Sequence, residues 1–318
     1  MLIVTGSDDN YVSGVLVLIS SAAFHNSEAR FAVLDMNISA QNRSRIDQLG
    51  ELLNVSIDRI EVNEDAFSHL SVVRSHLTRG TYLRFLIPHL FSQEDRVIYL
   101  DCDMVVMDSL HELDQVDLGT DIIAAVACPS PASNEVMATG HVEGSYINAG
   151  LLVMNLPLWR KENIVDKCMS ILTDPHRILL SEDQSAINIV AKGRIKYLPS
   201  RYNVYTDYCA YKRVDEFPNF PAVLHYVVSN KPWNWATNLA KIWQFHARRI
   251  CTVMPDPKKL TVRRKLSLMN RRVKMIIGNV LGRKKYQLRK EIQQHMNENI
   301  ARRYLAQFDA DTKIAKNN

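Results

Sequence analysis

The chain has 318 residues, 47% hydrophobic and 23% charged, which leaves room for two ordinary domains or one large α/β domain with an appendage. Eleven Gly and eleven Pro exclude collagen-like and low-complexity classes. The net charge of +5 hides a split: residues 256–318 hold 17 Lys or Arg against 5 Asp or Glu (net +12), and residues 1–255 hold 22 against 29 (net −7).

Leu2 to Thr5 reads as a buried strand running into the polar loop Gly6-Ser7-Asp8-Asp9-Asn10. A helix over 12–25, a strand over 30–34, a helix over 40–53 and a strand over 55–62 follow. This β-α-β-α-β order predicts a parallel sheet with helices on both faces and right-handed crossovers. A helix over 78–90 stops near Pro88. The strongly apolar strand 96–100 then runs into Asp101-Cys102-Asp103. Further strands are expected at 121–128, 146–156 and 223–228, and helices at 157–173 and 182–191. A composition shift at Pro255 and Pro257 divides the chain into a body, 1–255, and a basic helical tail, 256–318.

In the tail, Leu266, Met269, Val273, Ile276, Ile277 and Val280 recur at helical spacing, with Arg264, Arg271, Arg272 and Lys274 on the other side. Such a helix suits an anionic membrane surface, or else packs on the body as a solvated helix. Nucleic acid is not expected, because the basic residues are not interleaved with aromatics. Five cysteines without CxxC spacing argue against a zinc ribbon and a disulfide framework. No Lys or Arg precedes Arg30, and the apolar stretch Val15–Phe24 is too short to span a bilayer. The expectation is a cytoplasmic protein, peripheral at the inner face of the membrane.

Ligands of open α/β sheets bind beyond the carboxyl ends of strands, where residues 6–11 and 101–103 fall. There is neither a GxGxxG after the first strand nor a P-loop. Asp101 and Asp103 can aim at one divalent cation, and hard oxygen ligands suit Mn²⁺ or Mg²⁺. A DxD alone is weak, and Asp309-Ala310-Asp311 in the polar tail is a second one. The apolar context of residues 97–106 separates the first pair, because charges there are costly unless paired or metal-bound. His225 on an apolar run reads by itself as a core histidine. Lys231 beside Pro232 and Trp233 reads as a turn or as a fixed cation for a phosphate. Residues 145–150 read as a turn or bulge. Glu182 and Asp183 read as acidic capping of a helix start, which leaves Gln184 unexplained.

Taken in order, these pieces resemble the retaining family-eight glycosyltransferases of the GT-A fold, over roughly residues 1–235. They are Ile3-Val4 with Asp8-Asp9-Asn10-Tyr11, Thr81-Tyr82-Leu83-Arg84, Tyr99 to Asp103, Tyr146 to Gly150, Glu182-Asp183-Gln184, and His225-Tyr226 with Lys231-Pro232-Trp233. The family includes bacterial lipopolysaccharide α-galactosyl- and glucosyltransferases and glycogenin. The resemblance implies a Rossmann-like α/β nucleotide-sugar-binding sandwich with a mainly parallel sheet. It also implies transfer of galactose or glucose from a UDP-sugar to a glycan or lipid-linked saccharide with α linkage. Asp101, Asp103 and His225 would ligate Mn²⁺ or Mg²⁺. Gly6, Asp8, Asn10 and Tyr11 would hold the uridine, and Lys231 the diphosphate. Arg84, Asn148, Asp183 and Gln184 would surround the donor sugar, with Gln184 on the β face of the anomeric carbon. Val228 stands where the family often has glycine. Two other readings compete: a nucleotidyltransferase using the same acidic pair, and a UDP-sugar-binding protein without catalysis.

Overall fold

The structure is a computed structural model that describes residues 1–63, 79–227, 231–234, 237–256 and 261–314; Val228 lies outside the described residues. The strands are β1 (Leu2–Ser7), β2 (Arg30–Asp35), β3 (Ile57–Glu61), β4 (Arg96–Leu100), β5 (Met104–Val106), β6 (Ile123–Ala127), β7 (Ile147–Asn155), β8 (Ile195–Tyr197), β9 (Val204–Tyr205) and β10 (Val223–His225). The helices of the body are α1 (Val12–His25), α2 (Ala40–Leu53), α3 (Ile87–Leu90), α4 (His111–Asp114), α5 (Ser133–Ala138), α6 (Leu156–Lys161), α7 (Ile164–Leu172), α8 (Glu182–Ala191) and α9 (Ala240–Arg249). The chain closes with α10 (Val262–Val280), α11 (Lys284–His295) and α12 (Arg302–Ile314).

The main sheet has seven strands in the order β3-β2-β1-β4-β7-β6-β8. It is mainly parallel as expected, with β7 alone running antiparallel to its neighbours β4 and β6. Alternation along each strand splits the core in two. Ile3, Phe31, Val33, Ile98, Leu100, Leu151 and Val153 face α1. Val4, Ala32, Leu34, Val97, Tyr99, Leu152 and Met154 face the layer of Tyr82, Phe85, Trp159 and Ile187. Helix α1 is apolar nearly all round because it lies between the sheet and α9.

Three expectations need correction. Residues 79–86 form a 3-10 helix, and Pro88 sits in the first turn of α3 instead of stopping a helix, where its missing N–H costs nothing. The expected helix 157–173 is two helices, broken at Asn163, whose φ of 52° is left-handed. The strand at 223 ends at His225. The structure adds a small sheet, β5-β10-β9, that the sequence pattern did not signal.

The tail packs back on the body. Ile292, Met296, Ile300 and Tyr304 are buried in the α1-side core. The Tyr304 hydroxyl lies 2.8 Å from Nε2 of both His25 and His246. His246 Nδ1 is buried without a partner among the described residues, and a bare ring nitrogen there costs less than an orphan N–H. His246 Nε2–H therefore donates to Tyr304, which donates to His25. Burial pushes His25 down to about 4 and His246 down to about 3, with Arg249 adding to both. Both rings are neutral in the native state, while the unfolded chain takes up protons below about 6.5. Stability is thus expected to be level above pH 6.5 and to fall by roughly 2 kcal/mol or more between pH 6.5 and 4. Urea midpoints against pH check this, and a Tyr304→Phe variant should start lower at pH 7.

Candidate active site

The two sheets bring the chemistry together. The register Leu100↔Leu151 places Asp101, just past β4, beside Gly150, whose carbonyl accepts the Asp101 N–H at 2.8 Å. In the small sheet, His225↔Met104 sets the histidine next to Asp103, whose carbonyl accepts the Tyr226 N–H. Helix α1 can approach this acidic loop because residue 14 is glycine; a Cβ there would stand 2.4 Å from the Cys102 carbonyl.

A cavity of about 300 Å³ opens at these strand ends. Gly6, Asp8, Tyr11, Arg84, Asp101, Asp103, Asn148, Asp183, Gln184, His225 and Lys231 all line it. Asn10 does not; it lines an adjacent cavity with Trp233 and Trp243, and its backbone N–H is held by Asp8 Oδ1. Tyr11 meets Trp233 edge-on at 5.6 Å between ring centroids.

One ligand atom from each of Asp101, Asp103 and His225 falls within 4.8 Å of the others. His225 Nε2 is 3.2 Å from Asp103 Oδ1 and 3.8 Å from Asp101 Oδ2. Asp103 Oδ1 is buried yet accepts no hydrogen bond among the described residues. A Cβ on Gly150 would sit 2.4 Å from the His225 ring and 2.8 Å from Asp101 Oδ2, so only glycine keeps this space open. An orphaned carboxylate oxygen, two hard oxygen donors and one imidazole fit a divalent cation. Burial opposes the charge on Asp103, but the Lys231 ammonium outweighs it and holds the carboxyl well below its usual range. The Cys102 thiol is pushed the other way by burial and by both aspartates, so it stays a protonated thiol and offers no thiolate ligand.

A hydrogen-bond chain fixes the ligand's tautomer. The Gly150 N–H and Asn203 Nδ2 both donate to Asn148 Oδ1. Asn203 Oδ1 must then face His225 Nδ1, at 2.9 Å, so Nδ1 carries the proton and Nε2 presents its lone pair to the carboxylates. The same backbone anchors Gln184: its Oε1 accepts from Asn148 Nδ2 at 2.8 Å and from the Ala149 N–H at 3.1 Å, and its Nε2 donates to Tyr146.

Arg84 is the electrostatic hub. It is 4% exposed, pairs with Asp101 at 2.9 Å and Asp183 at 3.1 Å, and donates to the Ala149 carbonyl. Burial disfavours its charge, but Asp101 and Asp183 keep it protonated. Burial pushes Asp183 up to about 6 although Arg84 pulls it down. The acidic start of α8 is thus a buried ion pair, not a solvated cap. Glu182 precedes it with a left-handed φ of 35° and accepts from Tyr82, turning Asp183 and Gln184 toward the cleft. Sequence reasoning missed Asn203, which carries no local signal, and Gly150, which was visible in Asn148-Ala149-Gly150.

The geometry finds close counterparts among solved structures. A crystal structure of the galactosyltransferase LgtC, in complex with donor and acceptor sugar analogues, superposes with a TM-score of 0.68 at 27% identity, over 81% of this chain and 98% of that one. Fold and site define a glycosyltransferase of the GT-A fold. General stress protein A of Bacillus subtilis is 28% identical over 253 residues, 74% of this chain and 87% of its own length. The lipopolysaccharide 1,3-galactosyltransferase of Salmonella typhimurium is 28% identical over 243 residues, 72% of each chain. The chain belongs to glycosyl transferase family 8, whose model matches residues 2–237.

Proposed function

We propose that this glycosyltransferase moves a hexose, galactose or glucose, from a UDP-sugar to a hydroxyl of a glycan or lipid-linked saccharide with retention, giving an α linkage. The observation that carries this reading is the convergence of Asp101, Asp103, His225, Lys231 and the locked Gln184 amide in one cleft. Asp101, Asp103 and His225 would hold Mn²⁺ or Mg²⁺, which supplies Lewis-acid stabilisation of charge on the departing diphosphate. The Lys231 ammonium, bonded to Asp103 and the Tyr226 carbonyl, adds a fixed positive charge beside that diphosphate. Gly6, Asp8 and Tyr11 form the uridine end, with Asn10 acting on it from the neighbouring cavity.

Gln184 carries an amide, a poor nucleophile, so the acceptor hydroxyl attacks on the face the leaving group departs from, and the amide steadies the oxocarbenium-like sugar. Asp183 is 6% exposed and engaged by Arg84, which suits positioning of the sugar better than a covalent adduct. Asn148 ties the sugar side to the metal side, since its amide joins Gln184 to Asn203. Gln184→Ala should lower kcat at least tenfold while changing UDP affinity less than threefold, roughly the loss expected when a transition-state contact goes. Equal losses in both would make Gln184 a binding residue.

Residues 1–255 form the catalytic body in this reading, and 256–318 a tail that meets an anionic membrane surface from the cytoplasmic side. No helix among the described residues is long and apolar enough to cross a membrane. Helix α10 nevertheless exposes Leu266, Met269, Val273, Ile276, Ile277 and Val280, each more than two-fifths accessible. Because the end of the tail completes the core, point substitution tests it better than truncation. Ile277→Glu with Val280→Glu should weaken binding to phosphatidylglycerol vesicles at least tenfold; unchanged sedimentation with the vesicles contradicts a membrane role.

A further inference from the structure

A second cavity, of about 500 Å³, lies where the α10–α11 hairpin meets the chain leaving β9. Arg271 and Arg272 of α10 and Lys290 of α11 line it. Arg271 has local partners: it donates to the Tyr208 hydroxyl at 3.1 Å and stands 3.7 Å from Asp207. Among the described residues no carboxylate pairs with Arg272 or Lys290, so two positive charges of this wall are left uncompensated.

Two residues of the cavity wall also carry buried polar atoms that are left unsatisfied among the described residues. Thr206 is completely buried, and its hydroxyl has no hydrogen-bond partner among the described residues. Asn279 spends its Nδ2 on the Met275 carbonyl, while its Oδ1 is buried without a donor among the described residues. Both residues line the cavity. Such atoms cost stability unless something satisfies them. Their chemistry specifies what would. Two cations and a hydroxyl donor suit the oxygens of a phosphate, and a bare amide oxygen needs a hydroxyl donor. A phosphate alone offers the first; a phosphorylated polyol offers both.

The position relates this cavity to the reaction. Thr206 follows Tyr205, which lines the catalytic cleft, and the Thr206 N–H donates to the His225 carbonyl at 3.0 Å. On the other side the lining includes Ile276, which belongs to the exposed apolar stripe of α10. We infer that this cavity is a second binding site, taking the phosphate and a neighbouring hydroxyl of a phosphorylated polyol one residue away from the catalytic cleft. The ligand's source is a phosphorylated glycan or the headgroup of a glycerophospholipid. The inference stands on these residues and holds whichever donor the enzyme uses.

The test is a ³¹P NMR titration of the full chain with sn-glycerol 3-phosphate and with inorganic phosphate. Glycerol 3-phosphate should bind saturably and more tightly than phosphate. The double variant Arg272→Gln, Lys290→Gln should weaken both about tenfold, the loss expected for charge-assisted bonds. Asn279→Leu should erase the preference for the glycerol ester. The two cations are exposed, so the double variant keeps its core, and a thermal melt verifies this. Phosphate held in the catalytic cleft would be insensitive to the double variant. Unchanged affinity in that variant, or no saturable binding by the wild type, overturns the inference. Competition by phosphatidic acid vesicles for bound glycerol 3-phosphate would assign the site to a lipid headgroup; its absence would assign it to a phosphorylated glycan.

Discussion

Asp103→Asn is expected to lower turnover at least a hundredfold and to make UDP binding indifferent to metal, in line with what loss of a charged ligand in a dry site costs. The carboxylate does two things that the amide cannot. It offers a buried ligand oxygen that accepts no hydrogen bond among the described residues, and it neutralises Lys231. Asparagine keeps the shape but sets an amide dipole between the Lys231 ammonium and the His225 ring, with Asp101 as the nearest remaining carboxylate. Calorimetric titration with UDP in Mn²⁺ and in EDTA checks this. The wild type should separate the two curves and the variant should superimpose them. A variant that still separates them would remove Asp103 from the metal site.

The second large effect is structural and electrostatic together. Arg84→Met should cost about 3–5 kcal/mol, because it leaves Asp101 and the buried Asp183 without their shared counter-charge. The loss should depend on pH. In the wild type Asp183 already sits at about 6, pushed up by burial against the pull of Arg84. Without Arg84 it moves higher, so the native variant holds its proton while the unfolded chain releases it near 3.9. Destabilisation relative to wild type should therefore grow as pH rises from about 5 to 8. Chemical denaturation at several pH values checks this, and Arg84→Met with Asp183→Asn should recover part of the loss. A deficit that does not vary with pH would place the cost in packing instead of charge.

The strands that organise the body were legible because they are long and apolar and lie between clear turn signals. β1, β2 and β4 pack on both faces and end at Ser7, Asp35 and Leu100, where the polar clusters begin. β5, β8 and β9 have only two or three residues, too few for a period to show, and their pairing depends on contacts distant in sequence. The 3-10 segment 79–86 has its geometry set by what it reaches: Tyr82 and Phe85 enter the core and Arg84 spans two carboxylates. In the site, the residues inside short motifs could be named from sequence and resemblance to the family. The cost of burying them could not. Asp183 resembles a helix cap until Arg84, nearly a hundred residues earlier, is seen against it. Asn203 lies in an unremarkable loop, and only the register of β9 with β10 shows that it orients His225.

The most direct test of the account is release of UDP from a panel of UDP-sugars by the full chain, in Mn²⁺ and in EDTA, with water as the acceptor. Slow release from UDP-galactose or UDP-glucose is expected, lost in EDTA and lost in Asp103→Asn. Release that persists unchanged in EDTA, or failure of UDP to bind in either condition, would contradict a metal-dependent nucleotide-sugar site at Asp101, Asp103 and His225.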